Sequence, residues 1–150
     1  VSAANFNAPG QVVIAGSQSA VENAIPELKA AGAKRALELP VSVPSHCILM
    51  QPAAQKLSQA LEKTEFKQPK IPVIQNVNAV PSQNPDEIRL ALTDQLSAPV
   101  RWVSCVEYML GQGVERFVEC GPGKVLTNLN KRICTGIESV SSLQSAQQVE

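Results

Sequence analysis

Histidine is nearly absent from this chain: His46 is the only one in 150 residues. A single imidazole cannot complete a Cys2His2 zinc set, and the four cysteines (Cys47, Cys105, Cys120, Cys134) contain no CxxC pair, so neither pattern of structural metal site is present. Their wide spacing reads as reduced thiols of a cytosolic protein. No apolar run approaches the ~20 residues of a membrane helix, and nothing resembles a signal peptide. Charge of one sign is also lacking. Lys+Arg and Asp+Glu stand at 13 each and the pI is 6.8, which leaves no electrostatic footprint for nucleic acid or a membrane surface. No initiator methionine precedes Val1, and the chain reads as a piece of something longer. At 16.0 kDa it has the size of one domain, long enough to bury roughly 70% of its extended surface.

The lone histidine lies in Val41-Ser42-Val43-Pro44-Ser45-His46-Cys47, between an apolar strand-like run and a helix-like one. Such a residue is a general base, a metal ligand or a satisfied core side chain. Leu49, Ala53, Leu57 and Leu61 recur every four residues and predict a helix with one apolar stripe. Ser45 would cap it, placing His46 in the first turn, where the positive end of the dipole favours a neutral ring. Pro52 inside the pattern predicts a kink or a later start. Cys47 is adjacent to His46, but neighbours on a helix point about 100° apart, so adjacency does not make a thiol–imidazole pair.

Taken in order, Asn5 to Gln11 reads as loop, ending in a Pro9-Gly10 turn, and Val12 to Ile14 as a short strand. Ser19 and Glu22 form a capping box for a helix through Leu28, flawed by Pro26 and closed by Gly32. Ala36 to Val41 is expected as a second strand, making residues 11–41 a strand–helix–strand unit, half of a ferredoxin-like split motif. Ile71 to Ile74 predicts a strand. Asn84-Pro85-Asp86-Glu87 is the strongest helix start, with an N-cap, Pro at N1 and a capping-box Glu. A further helix begins near Trp102 and closes at Gly111 and Gly113. Phe117 to Cys120 is a strand, turned by Gly121-Pro122-Gly123-Lys124 into a helix carrying Val125, Leu129 and Ile133, and the Ser- and Gln-rich tail after Val140 is expected to fray. The alternation implies an α/β architecture with a mainly parallel sheet.

Gly121-Pro122-Gly123-Lys124 is either a phosphate cradle on helix N–H groups or a tight packing turn; the GxxxxGK[ST] spacing is absent. The carboxylates form no evident pair. Lys34-Arg35 and Lys131-Arg132 are small basic pairs, either solvated surface or contacts for an acidic partner.

Five segments, in order, resemble malonyl-CoA:acyl carrier protein transacylases. They are Asn5-Phe6-Asn7-Ala8-Pro9-Gly10-Gln11-Val12-Val13-Ile14-Ala15-Gly16, Pro40 to Cys47, Pro72 to Val77, Gln95-Leu96-Ser97-Ala98-Pro99-Val100-Arg101-Trp102, and Glu119 to Leu126. What matches is the C-terminal half of that family. The resemblance implies an α/β-hydrolase-like large subdomain with a parallel sheet and an inserted ferredoxin-like small subdomain. Residues 1–41 would be the latter part of the insert, and residues 42–150 the C-terminal part of the large subdomain.

The resemblance further implies transfer of malonyl from malonyl-CoA to the phosphopantetheine thiol of acyl carrier protein through an acyl-serine, in the cytoplasm and without a cofactor or metal. His46 falls on the family's base, and Gln95 on the residue whose backbone carbonyl orients it. Asn5, Asn7 and Gln11 match residues lining the cleft, and Ser45 the position associated with malonyl over bulkier acyl groups. Lys34, Arg35, Lys131 and Arg132 are candidates for docking the carrier protein. The chain departs from the family in lacking GxSxG, and with it the nucleophile. The arginine for the malonyl carboxylate and the oxyanion-hole glutamine also belong to the family's N-terminal half, which becomes an implied partner. Two alternatives stand beside this reading: a non-catalytic module that only docks carrier protein, and a Cys47 thiol enzyme.

Overall fold

Pro9 and Gly10 turn the N-terminal segment back on itself, with Gly10 at φ 72°, a left-handed conformation that glycine adopts without penalty. The computed structural model describes residues 1–142. Strand β1 (Ser2–Ala8) pairs antiparallel with β2 (Gln11–Ala15), and two register shifts, between Ala3 and Asn5 and between Phe6 and Ala8, bend the ladder. The expected loop at Asn5 to Ala8 is therefore strand: its polar side chains do not prevent the backbone from pairing. Helix α1 (Gln18–Ala30) follows from Ser17, whose side chain makes no cap bond, and Gln18 rather than Ser19 engages Glu22, at 2.8 Å. The expected Ser19–Glu22 box is thus displaced. Gly32, at φ 98°, closes the helix as expected.

Ala36 to Val41 forms no strand. Its composition suits one, but no neighbouring strand pairs with it among the described residues, and a strand needs a partner. A short 3-10 turn (Ile48–Met50) leads into α2 (Gln51–Glu62), with Pro52 in its first turn, so the later start is the outcome. A two-residue antiparallel pair, β3 (Val73–Ile74) and β4 (Pro81–Ser82), precedes α3 (Pro85–Asp94). Asn84 caps α3 by accepting from the Asp86 N–H at 2.8 Å. Glu87 does not complete the capping box; it accepts from Ser82 Oγ at 2.6 Å.

Helix α4 (Trp102–Gly111), strand β5 (Arg116–Glu119), helix α5 (Val125–Ile133) and strand β6 (Glu138–Ser141) finish the described chain. β5 and β6 pair in parallel around α5. The architecture is α/β, but the expected dominance of parallel pairing is not seen among the described residues: of their three two-stranded sheets, one is parallel. The expected fraying tail lies mostly outside the described residues; its start is the ordered edge of β6.

The core is built of small side chains. Its buried apolar residues are Ala4, Ala8, Ala24, Ala54, Ala79, Ala91, Cys47, Cys105, Val106 and Leu129. Larger groups stay outside, with Val41, Ile48, Ile71 and Val125 each at least 68% exposed. A compact monomer of 16.0 kDa exposes roughly 7,400 Å², whereas this chain exposes 10054 Å². Among the described residues, no helix is long and apolar enough to cross a membrane.

Candidate active site

The site begins with a proline. Helix α3 ends at Asp94, and the Gln95 carbonyl would next accept from the N–H of residue 99, but Pro99 has none. The Leu96 carbonyl is likewise released, because the Val100 N–H turns away to donate to Ala4 O at 2.9 Å. Both free acceptors point at His46. Its backbone N–H donates to Leu96 O at 3.0 Å and its Nδ1 lies 2.6 Å from Gln95 O. A carbonyl can only accept, so Nδ1 carries the proton and Nε2 presents a lone pair. This pair of bonds holds His46 at φ 61°, in the left-handed region that residues with a Cβ seldom occupy.

The expected helical setting of His46 is therefore corrected. Neither Ser45 nor His46 belongs to α2, which begins at Gln51, and the α2 N-cap position is Met50. The dipole effect fades beyond the first turn, so the Gln95 carbonyl, not the helix, prepares the ring. Ser45 is exposed beside it. Cys47 points the other way: it is buried, and its thiol donates to Pro44 O at 3.1 Å. Nothing joins it to the imidazole, which weighs against a Cys47 thiol enzyme.

His46 itself is half-buried. A cavity of about 250 Å³ beside α3, lined by residues including Gln75, Ser82, Leu90 and Asp94, does not include it.

The other candidates fall in two groups. Asn5 joins the His46 region through the backbone: it bridges Val100, and Phe6 N–H donates to Val100 O at 2.9 Å, a few residues past Gln95. Asn7 lies two residues further along the half-buried β1. Gln11, at the other side of the hairpin turn, accepts through Oε1 from Arg132 Nη1, and Arg132 Nη2 reaches Pro9 O at 3.5 Å. A cleft candidate and a docking candidate thus share one contact. Lys131 is exposed in the last turn of α5, where a cation suits the helix dipole. Lys34 and Arg35 are exposed on the irregular segment after α1.

The Gly121-Pro122-Gly123-Lys124 turn is not a phosphate cradle. Glu119 already occupies the donors at the start of α5, accepting from Thr127 N–H at 2.8 Å and Leu126 N–H at 3.1 Å. Those backbone bonds, the one from Thr127 foremost, hold its carboxyl below its ordinary value of 4.5. A second anion there would meet a carboxylate. Sequence reasoning missed this cap, and it missed the Leu96 carbonyl. The proline four residues after Gln95 signals only the Gln95 carbonyl; Leu96 O is left open by the long-range bond from Val100 N–H to Ala4 O, which has no local signal.

Comparison with known proteins extends the picture. The acyl transferase domain family matches residues 1–149. The malonyl CoA-acyl carrier protein transacylase of Escherichia coli K12 is 61% identical over 133 residues, covering 89% of this chain and 43% of that protein. The Haemophilus influenzae transacylase is 53% identical over 141 residues, covering 94% and 45%. An acyl carrier protein S-malonyltransferase from Vibrio cholerae superposes with a TM-score of 0.95 at 56% identity, over 99% of this chain and 49% of that one. A malonyl-transacylase solved in complex with a type II PKS acyl-carrier protein superposes at 0.92 and 52% identity, over 99% and 50%. The chain spans about half the length of the relatives it matches.

Proposed function

Because the chain belongs to the acyl transferase domain family, with the arrangement around His46 just described, we propose that it supplies the general base for malonyl transfer. The reaction carries malonyl from malonyl-CoA to the phosphopantetheine thiol of acyl carrier protein, as a step of fatty acid biosynthesis in the cytoplasm. The observation that carries this reading is the 2.6 Å contact between His46 Nδ1 and Gln95 O, which leaves Nε2 as the free acceptor.

In this mechanism a serine hydroxyl, provided by the part of the fold that lies beyond this sequence, gives its proton to His46 Nε2 as its oxygen attacks the thioester carbonyl. The tetrahedral adduct collapses, the CoA sulfur leaves, and the imidazolium returns the proton to it. The carrier's thiol then repeats the cycle: it gives its proton to Nε2, its sulfur attacks the acyl-serine, and the serine oxygen departs and is reprotonated. Gln95 O does the work of a triad carboxylate: it fixes the tautomer and stabilises the charged ring.

Residues 1–41 then form the latter part of a ferredoxin-like small subdomain, and residues 42–150 part of an α/β-hydrolase-like large one. Asn5, Asn7, Gln11 and Ser45 line the cleft, and Lys34, Arg35, Lys131 and Arg132 face the acidic carrier protein. The N-terminal half covers the apolar groups left at the surface, Val41 and Ile48 beside His46 among them.

The test is complementation. The chain is mixed with the unmatched N-terminal portion of the Escherichia coli relative and with malonyl-CoA. Mass spectrometry should find malonyl on a serine of that portion only when the chain is present. No malonylation in the mixture, with both pieces folded, contradicts the reading. The missing GxSxG keeps one rival in view, a module that docks carrier protein without chemistry. It expects charge reversal at Lys34, Arg35, Lys131 and Arg132 to weaken carrier binding in a salt-dependent way while His46→Ala changes nothing.

A further inference from the structure

We infer that Arg89 is a positioning residue for His46, acting from the far end of the α2–α3 pair. This rests on the proposed role of His46. The side chain of Arg89 is 27% exposed, and its guanidinium ties α3 to the end of α2 and to the segment after it. Nε donates to Leu61 O at 3.1 Å, in the last turn of α2, and Nη2 reaches Thr64 O at 3.5 Å. Nη1 pairs with Asp86 one turn earlier on α3, and the group lies 5.1 Å from the centre of the Phe66 ring, on the chain leaving α2. Helix α2 has no basic residue of its own in its last turn. Arg89 supplies that cation from the neighbouring helix, at the carbonyl end of α2, where Leu61 O also accepts from the Thr64 N–H at 3.1 Å.

The two helices run in opposite senses. The segment before α2 carries His46, which meets Gln95 just past the end of α3, while the end of α2 meets Arg89 in the second turn of α3. Arg89 and Gln95 are six residues apart, about 9 Å along the helix axis at ~1.5 Å per residue. The pair is therefore pinned at one end by a fork-shaped cation on two carbonyls and joined at the other by the imidazole contact and by the His46 N–H bond to Leu96 O. A helix is stiff along its axis, so the register set at Leu61 is the register with which Gln95 O is presented. The tolerance is small. A slip of ~1 Å takes a 2.6 Å contact beyond hydrogen-bond range, and Nδ1–H would lose the partner that selects it.

The single histidine makes the test direct. Nitrogen NMR of the imidazole is recorded on the 150-residue chain at about pH 8.5, two units above the ordinary imidazole pKa. The wild-type chain should show one fixed tautomer, protonated at Nδ1. In Arg89→Met, which keeps the apolar stem, the ring should shift to a mixture dominated by the Nε2–H form that unconstrained imidazole prefers, with helical circular dichroism retained. Arg116→Met, which removes an exposed ion pair with Glu138, should leave the tautomer alone.

If Arg89→Met loses its helical signal, Arg89→Lys is read instead. Lysine keeps the charge but cannot span Leu61 O and Thr64 O, and a partial tautomer shift is expected. Retention of pure Nδ1–H in a folded Arg89 variant overturns the proposal, as does a wild-type ring already mixed, or unfolding of Arg89→Lys as well. A tautomer shift without any loss of malonyl transfer in the complemented enzyme supports the positioning role and overturns His46 as base, so the two failures are distinct.

Discussion

Asn130 is the residue whose replacement should most sharply reveal how the described fold is held. It is 4% exposed, on α5. Its Oδ1 accepts from Trp102 Nε1 at 3.0 Å, and its Nδ2 donates to Ser139 Oγ at 3.3 Å. One side chain thereby joins α4, α5 and β6. Asn130→Leu keeps the branching and the number of side-chain heavy atoms and removes both bonds at once. An orphaned buried polar group costs about 1–3 kcal/mol. Trp102 is half-buried and recovers some hydration, whereas Ser139 is 7% exposed and recovers little. Taking about 1 for the indole and about 2 for the hydroxyl, less about 1 for the apolar gain of leucine, the net loss is about 2 kcal/mol.

Urea unfolding followed by the fluorescence of Trp102, the only tryptophan, reads this loss. With a slope of about 2 kcal/mol per molar the midpoint should fall by about 1 M, and Tm by about 4–8 °C. A cycle with Trp102→Phe, followed by circular dichroism, should return a coupling of about 1 kcal/mol. A loss under about 0.5 kcal/mol, of the size an ordinary surface substitution gives, would refute the reasoning.

Gln95 acts through its backbone, so Gln95→Ala should leave malonyl transfer within about threefold in the complemented enzyme; a loss above tenfold would assign the role to the side chain. Glu119 is held ionised by the N–H groups of Thr127 and Leu126, and its contribution is present above the ordinary carboxyl value and lost as pH falls through its lower folded value. The stability gap between wild type and Glu119→Gln should accordingly be constant near neutrality and shrink below about pH 4; a gap that widens in acid contradicts this. Burial pushes the Cys105 thiol up and leaves Cys47 inaccessible, while Cys120 is exposed. Iodoacetamide followed by peptide mapping should therefore label Cys120 first, and Cys47 and Cys105 only on unfolding. Early labelling of Cys47 would reopen the thiol alternative.

What the sequence made legible was local. Asn84 with Pro85 announces α3, and Gly32 closes α1, because caps are decided by a few neighbouring residues. The Pro9-Gly10 turn was readable for the same reason, but the strand leading into it was not: Asn5 to Ala8 do alternate polar and apolar, yet two asparagines directly before Pro-Gly read as turn chemistry. Ala36 to Val41 failed in the opposite sense: the side chains suit a strand, and pairing is what is missing. His46 stood out by its rarity and by the resemblance of its surroundings. Its conformation could not be read, because it is set by Leu96 and Gln95, about fifty residues away, and by a proline whose effect is an absent N–H. Glu119 was read as strand and serves as well to cap α5.

The most direct measurement is malonyl transfer by the complemented enzyme carrying His46→Ala. A positioned base contributes about 10²–10⁴ in rate, so transfer to carrier protein should fall at least a hundredfold while both pieces still associate. A loss below tenfold would contradict the assignment of the proton acceptor to His46.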